Sequence, residues 1–301
     1  MTPSRGTTHV IFAVSDIQSR PVVFEGEQVL LVTKIFACAA FATLAFTSQS
    51  IACGAQTDCK IGDRHYRIHM PAGHDASHPL GAIIFTHGYK GTAKGAMNNS
   101  NLTQLADDLG VALIATKSAK DDWSIPGAPS SVTDPDVDEL AYYDTVLADV
   151  TAKFPVDPDQ LMLTGFSAGA MMVWNLACHR SEKFAGFVPM SGTFWQPEPL
   201  TCDTPPANVI HIHGTTDKIV PLEGRKVLDT HQGSVSDVLE MYGRYGAFSD
   251  TGKASLGELA CDTQANAAGD ILNYCTFDGG HTFKAEYLKS AWDLLATTGK
   301  L

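Results

Sequence analysis

The chain has 301 residues and a formal net charge of −12 at pH 7, a balance that argues against nucleic-acid binding, because phosphate contacts require clustered Lys and Arg. The same acidic balance disfavours strongly anionic polymers as substrates. The length suits a single α/β sheet domain, and no Pro/Ser-rich linker or repeat divides the sequence.

The N-terminal part reads as a leader. Lys34 precedes an apolar run from Ile35 to Phe46, the length of a signal-peptide h-region. Ser50 and Ala52 then place small residues at the −3 and −1 positions before Cys53. The run is shorter than the roughly 20 apolar residues of a membrane helix. Residues 1–52 are therefore expected to be removed, leaving 53–301 as a single catalytic domain that is secreted or periplasmic and has no membrane segment. Glu25 and Glu27 are unusual for an n-region, as expected if the translation start is set too far upstream. Cleavage before Cys53 also raises lipoprotein processing, although Ser50 stands where Leu is usual.

Beyond the leader, strands are predicted near 64–70 and 81–86. The second is the apolar run Gly81 to Thr86 and ends in His87-Gly88-Tyr89-Lys90-Gly91-Thr92. A helix near 100–109 and a strand near 111–116 follow. Next comes a long loop, Ser118 to Thr133, that carries Trp123 and can reach over a pocket. The spacing of Leu140, Tyr143, Val146, Leu147 and Val150 predicts a helix over 137–153, with Asp136 able to cap it. The apolar strand near 160–164 then meets Gly165-Phe166-Ser167-Ala168-Gly169, and a helix follows over 168–178. A strand near 186–190 leads into the loop Ser191 to Thr204, which holds Phe194 and Trp195. The strand near 208–213 ends in His213-Gly214-Thr215-Thr216-Asp217-Lys218-Ile219-Val220-Pro221. A helix near 235–247 and a strand near 270–276 precede Asp278-Gly279-Gly280-His281-Thr282-Phe283, and a helix near 285–297 closes the chain. Strands alternating with helices predict a mostly parallel central sheet with helices on both faces.

Strand, sharp turn and helix around Ser167 are what a nucleophilic serine requires. Its Oγ must stand clear of the sheet, and its neighbours must be small. A serine hydroxyl also needs a general base, and the base needs a carboxylate to hold its tautomer. His281 and Asp217 each lie just past the C-terminal end of a predicted strand, where open α/β sheets place their sites. The order Ser, Asp, His is that of α/β-hydrolases. Asp203 and Asp278 are rival acids. Asp278 is too near His281 in sequence to reach round its ring, whereas Asp217 ends its own strand. The backbone N–H groups of Ala168 and Tyr89 are assigned to an oxyanion hole. Trp123 and Trp195 are candidate substrate contacts, with packing at the domain edge as the alternative. His211 and His213 alternate along one strand but lack a third ligand at fitting spacing, and no C-x-x-C pair is present. No metal site is therefore expected, and the two histidines are read as core or loop anchors.

Outside the leader the cysteines are Cys53, Cys59, Cys178, Cys202, Cys261 and Cys275, an even set suited to an oxidising compartment. Six cysteines allow 15 connectivities. Pairing of sequence neighbours is expected: 53 with 59, 178 with 202 and 261 with 275.

The His87-Gly88 strand end, the Gly165 to Gly169 turn, the His213 to Pro221 segment and Gly279-Gly280-His281 resemble those of secreted α/β-hydrolase esterases of the polyhydroxybutyrate depolymerase-like and feruloyl esterase-like group. The likeness runs from about Cys59 to the C-terminus. It implies a Ser167, His281, Asp217 triad that hydrolyses carboxylic esters through an acyl-enzyme without a cofactor, on a small-molecule or oligomeric ester. Short-chain and aryl esters are the expected substrates. The alternatives are a serine peptidase of the prolyl-oligopeptidase kind and a non-catalytic polymer-binding module on the same fold. The first generally carries an extra propeller or gating domain, and the second would be marked by a missing triad member.

Overall fold

The computed structural model describes residues 53–301; the expected leader, its apolar run and its processing site before Cys53 lie outside the described residues. The strands, in chain order, are β1 (Cys59–Ile61), β2 (Arg64–His69), β3 (Leu80–Thr86), β4 (Ala112–Thr116), β5 (Val156–Phe166), β6 (Gly186–Met190), β7 (Val209–Gly214), β8 (Lys226–Val227), β9 (Thr230–His231), β10 (Ser249–Leu256), β11 (Leu259–Ala265) and β12 (Ile271–Phe277). The helices are α1 (Ala93–Met97), α2 (Ser100–Leu109), α3 (Glu139–Lys153), α4 (Ala168–His179), α5 (Val235–Tyr245) and α6 (Ala285–Thr297).

Ten strands form one sheet in the order β1-β2-β4-β3-β5-β6-β7-β12-β11-β10, and β8 and β9 pair as a separate hairpin. The block from β4 to β12 is parallel throughout. β1 and β2 at one edge, and β11 and β10 at the other, are antiparallel. Central strands buried on both faces are continuous apolar runs, as the fully buried Ala112–Thr116 and Gly186–Met190 show.

Alternation along each strand feeds two cores. On β3, Ala82 and Ile84 face one core, and Ile83 and Phe85 face the other. The first core holds Tyr142, Val146 and Val150 of α3, Met172 and Trp174 of α4, and Val238 and Met241 of α5. The second holds Ala96 of α1, Leu102 and Leu105 of α2, and Leu288, Ala291 and Leu295 of α6. The sheet is thus covered on both faces, which brings the C-terminal ends of the parallel strands together along one rim.

Two local devices shape that rim. Helix α3 is capped by Asp138, whose carboxylate accepts the Ala141 N–H at 3.0 Å. Asp136, the expected cap, lies in the turn before it, because the helix begins at Glu139. Buried Glu139 then receives Arg64 at 2.8 Å and the Ser124 N–H at 3.2 Å, which ties the loop after β4 to both α3 and β2. Disulfides join Cys53 to Cys59, Cys178 to Cys202 and Cys261 to Cys275, the three neighbour pairs expected. The second links the last turn of α4 to the loop after Trp195, and the third crosses directly between β11 and β12.

Candidate active site

β5 ends at Phe166, and the chain turns at Ser167 straight into α4. Ser167 has φ 58° and ψ −123°, a left-handed conformation that a side chain keeps only where its surroundings hold it. They do so here: its N–H donates to the Met190 carbonyl at 3.0 Å, and its own carbonyl accepts the Met171 N–H at 3.1 Å. The turn is tight enough that a Cβ on Gly165 would lie 2.6 Å from Gly169 backbone, and one on Gly169 would lie 2.0 Å from the Thr86 carbonyl oxygen. Ser167 faces the rim with α4 behind it, so the positive end of the helix dipole and its unpaired first-turn N–H groups point at the serine.

Asp217 and His281 come from the loops after β7 and β12, adjacent parallel strands. His281 Nδ1 lies 2.6 Å from Asp217 Oδ2, which assigns the Nδ1 proton to that contact and leaves Nε2 for the cleft. The imidazole rests on the Phe166 ring, 4.6 Å between centroids, next to the serine in sequence. Asp217 is buried and fully used. Its Oδ1 accepts the Ile219 and Val220 N–H groups at 2.8 and 2.9 Å, and His213 Nε2 stands 3.5 Å from Oδ2. Burial pushes this carboxyl up, but hydrogen bonds from His213, His281, Val220 and Ile219 together outweigh burial and hold it well below the usual carboxylate range. Of the rival acids, Asp203 pairs with His179 at 2.8 Å, and Asp278 is exposed.

The loop after β3 is built around His87. Ser118 donates its N–H to His87 Nε2 at 3.2 Å. That makes Nδ1 the protonated nitrogen, and it donates to the Gly88 carbonyl at 2.8 Å. Burial pushes His87 down to about 4, so the ring is neutral and suited to both contacts. Trp123 Nε1 donates to the His87 carbonyl at 2.8 Å, and Lys90 N–H to the Asp121 carbonyl at 2.6 Å. The loop is held from several sides, while among the described residues the Tyr89 N–H has no protein acceptor. Ala168, the first residue of α4, likewise has no acceptor within its helix.

Ser167, Ala168 and Tyr89 open onto a cleft of about 770 Å³. Trp123 and Trp195 both line it, but neither stands out from the surface. Trp123 is 1 % exposed and packs among His87, Tyr142 and Tyr143, and Trp195 is 8 % exposed. Sequence reasoning missed a further part of the lining: Ile219, Val227, Leu228 and Gln232, on and around the β8–β9 hairpin, which adjoins the Trp195 segment through a Trp195–Gln232 bridge. Two-residue strands carry no readable periodicity, and the signal available was only the apolar Ile219-Val220 following Asp217.

A parallel sheet crossed in this order, with a strained serine between strand and helix and an acid and histidine from later strand ends, defines an α/β-hydrolase. The chain is similar to esterases of the feruloyl esterase-like group. Residues 136–240 match the phospholipase/carboxylesterase family. Feruloyl esterase C of Emericella nidulans is 26% identical over 230 residues, 74% of this chain and 77% of that protein. NocK of Nocardia uniformis subsp. tsuyamanensis is 33% identical over 165 residues, 54% of this chain, and the chain spans about half (47%) of NocK's length. Among solved structures, an acetyl xylan esterase from Aspergillus awamori superposes with a TM-score of 0.59 at 15% identity, covering 81% of this chain and 99% of that one. Staphylococcus aureus fluorophosphonate-binding serine hydrolase F gives 0.51 at 12% identity, with 80% and 96% covered. Both share the fold.

Proposed function

We propose that residues 53–301 are the catalytic unit of an exported serine esterase that hydrolyses short-chain or aryl carboxylic esters. The observation that carries the reading is the 2.6 Å contact between buried Asp217 and His281 Nδ1, which leaves Nε2 to act on a serine whose backbone is already turned toward the cleft. In this mechanism His281 Nε2 takes the Ser167 proton as Oγ attacks the ester carbonyl. The Ala168 and Tyr89 N–H groups receive the developing oxyanion. Protonated His281, stabilised by Asp217, returns the proton to the leaving alcohol, and an acyl-enzyme remains. Water, deprotonated by the same histidine, then releases the acid. No step calls for a metal or cofactor.

The apolar lining by Trp123, Trp195, Ile219 and Leu228 supports an aryl or short acyl group. The similarity to feruloyl esterase C supports the same class, and the three disulfides support an oxidising compartment. A fluorophosphonate probe should label the folded protein, and Ser167→Ala should abolish labelling and lower turnover of p-nitrophenyl acetate by several orders of magnitude. Retained turnover in folded Ser167→Ala protein refutes the assignment. Comparing kcat/KM on short and long p-nitrophenyl esters, methyl ferulate, acetylated xylan and soluble hydroxybutyrate oligomers resolves the substrate. A clear preference for long acyl chains overturns the proposal.

A further inference from the structure

Behind Asp217 lies a line of buried polar groups that the proposed chemistry does not use. Trp174 of α4 and His211 and His213 of β7 are all fully buried, where an unpaired polar atom is costly. Trp174 Nε1 lies 3.2 Å from His211 Nδ1, His211 Nε2 lies 3.0 Å from His213 Nδ1, and His213 Nε2 lies 2.8 Å from the Val220 carbonyl and 3.5 Å from Asp217 Oδ2.

The chemistry of the first group orders all the rest. An indole N–H can only donate, so His211 Nδ1 must accept and its proton sits on Nε2. That proton goes to His213 Nδ1, which places the His213 proton on Nε2. It then points at the Val220 carbonyl and the Asp217 carboxylate. The Val220 N–H in turn donates to Asp217 Oδ1 at 2.9 Å, so His213 bears on the acid both directly and through Val220. Reversal of either imidazole would set two lone pairs or two N–H groups against each other inside the core.

We infer that Trp174, His211 and His213 form a one-way hydrogen-bond relay, its direction set by the indole N–H, that ends on the Val220 carbonyl and positions Asp217, with the His213 N–H 3.5 Å from the Oδ2 that His281 contacts. The inference rests on the triad proposed above, and the three are positioning residues, since none lines the cleft. Few other groups can interfere. Asp217 is faced by His281 and His213 and by the backbone of Ile219 and Val220, while Lys218 is exposed. His211 is faced from β12 by Tyr274, 5.9 Å between centroids, whose hydroxyl burial pushes up and so keeps neutral. Arg225 is engaged by the Ile219 carbonyl at 2.7 Å. When the His213 donor is withdrawn, the Val220 backbone that holds Oδ1 loses its anchor and the carboxylate loses a nearby N–H dipole, so more of its charge bears on His281 and imidazolium is favoured in the variant.

The test uses Trp174→Phe, which keeps a ring and removes only the donor, together with His213→Leu and His213→Gln. Hydrolysis of p-nitrophenyl acetate is followed across pH, and the proton between His281 and Asp217 is followed by low-field NMR. Trp174→Phe should lower kcat about five- to ten-fold with KM within about two-fold, and should move the acid limb of kcat/KM upward by about half a pH unit. It should also displace the low-field resonance. His213→Leu should do the same more strongly, and His213→Gln, whose amide can both accept and donate, should recover most of the loss. A folded Trp174→Phe protein with wild-type pH profile and unmoved resonance overturns the relay. So do equal effects of His213→Leu and His213→Gln, which also decide the matter if Trp174→Phe does not fold. Should Ser167→Ala retain turnover, the serine-esterase reading fails, and the resonance in Trp174→Phe still decides the relay on its own.

Discussion

The Phe166 ring packs on the imidazole of His281 at 4.6 Å and meets Phe283 edge-on at 5.9 Å. The residue before the proposed nucleophile therefore also supports the proposed base, so one turn of backbone sets the position of both. Phe166→Ala should leave the serine in place but free the imidazole to rotate about its bond to Asp217. A fall in kcat of about ten-fold with little change in KM is expected, with Phe166→Leu closer to wild type. Steady-state kinetics on a p-nitrophenyl ester read both, and an effect confined to KM would count against this role.

Asp217→Asn keeps the side-chain shape but offers an N–H to His281 Nδ1, favouring the wrong tautomer. A loss on the order of 10⁴ in kcat/KM at neutral pH is expected. Asp278→Asn, at an exposed position, should stay near wild type. If Asp278 proves the more damaging change, the acid has been misassigned.

Gly169→Ala would put a methyl group 2.0 Å from the Thr86 carbonyl oxygen, which is backbone and cannot step aside. Either β3 or the start of α4 has to shift, at about 2–4 kcal/mol. Denaturant unfolding should show the loss, and residual folded protein should label poorly with fluorophosphonate. A variant as stable as wild type would mean that the turn is looser than described.

Stability should also fall in mild acid. Burial pushes His87 down to about 4, and burial followed by the nearby His213 pushes His211 the same way. Unfolded histidines, with an ordinary value near 6.5, take up protons that the folded ones refuse. The contribution is complete above about pH 6.5 and declines as pH drops toward 4, on the order of 3 kcal/mol for His87. Calorimetry from pH 7.5 to 4.5 should show a steadily falling Tm, less steep in His87→Asn. A flat profile would show that these rings accept protons in the fold.

What could be read from the sequence followed from burial on two faces. β3, β4 and β6 are apolar runs and β7 is buried throughout although it carries His211 and His213, while the turn after β5 and the loops after β7 and β12 carry the motifs that point to Ser167, Asp217 and His281. β10 (Ser249–Leu256) escaped notice because it is almost wholly exposed at the sheet edge and so carries no alternation. β11, its neighbour, buries only Leu259 and Cys261. Trp123 could be read as a loop aromatic free to meet a substrate. Its depth is decided by Tyr142, Tyr143 and His87, which are distant in sequence, and no local pattern announces them. The polarity of the Trp174, His211 and His213 line was equally hidden, since two alternating histidines look alike whether they bind a metal, fill a core or carry a directed proton.

The two stretches that line the cleft around Trp123 and around Leu228 differ in how they are fastened. On the Trp123 side, Ser124 is tied to Glu139, the Ser131 N–H and hydroxyl are tied to Asp122, and Lys90 is tied to Asp121. On the hairpin side the base of β8–β9 is tied to the Trp195 segment, with Gln196 donating its N–H to the His231 carbonyl at 2.8 Å and Trp195 bridged to Gln232, while Leu228, 77 % exposed and at positive φ, projects from the turn between the two short strands. In the proposed esterase, selection is therefore divided: the stretch around Trp123 acts as a template for the part of the substrate laid against it, and bulk is accommodated beside the exposed Leu228 at the hairpin turn. Substrates that differ in the group facing Leu228 should be discriminated weakly, whereas those that differ on the Trp123 side should be accepted or refused outright.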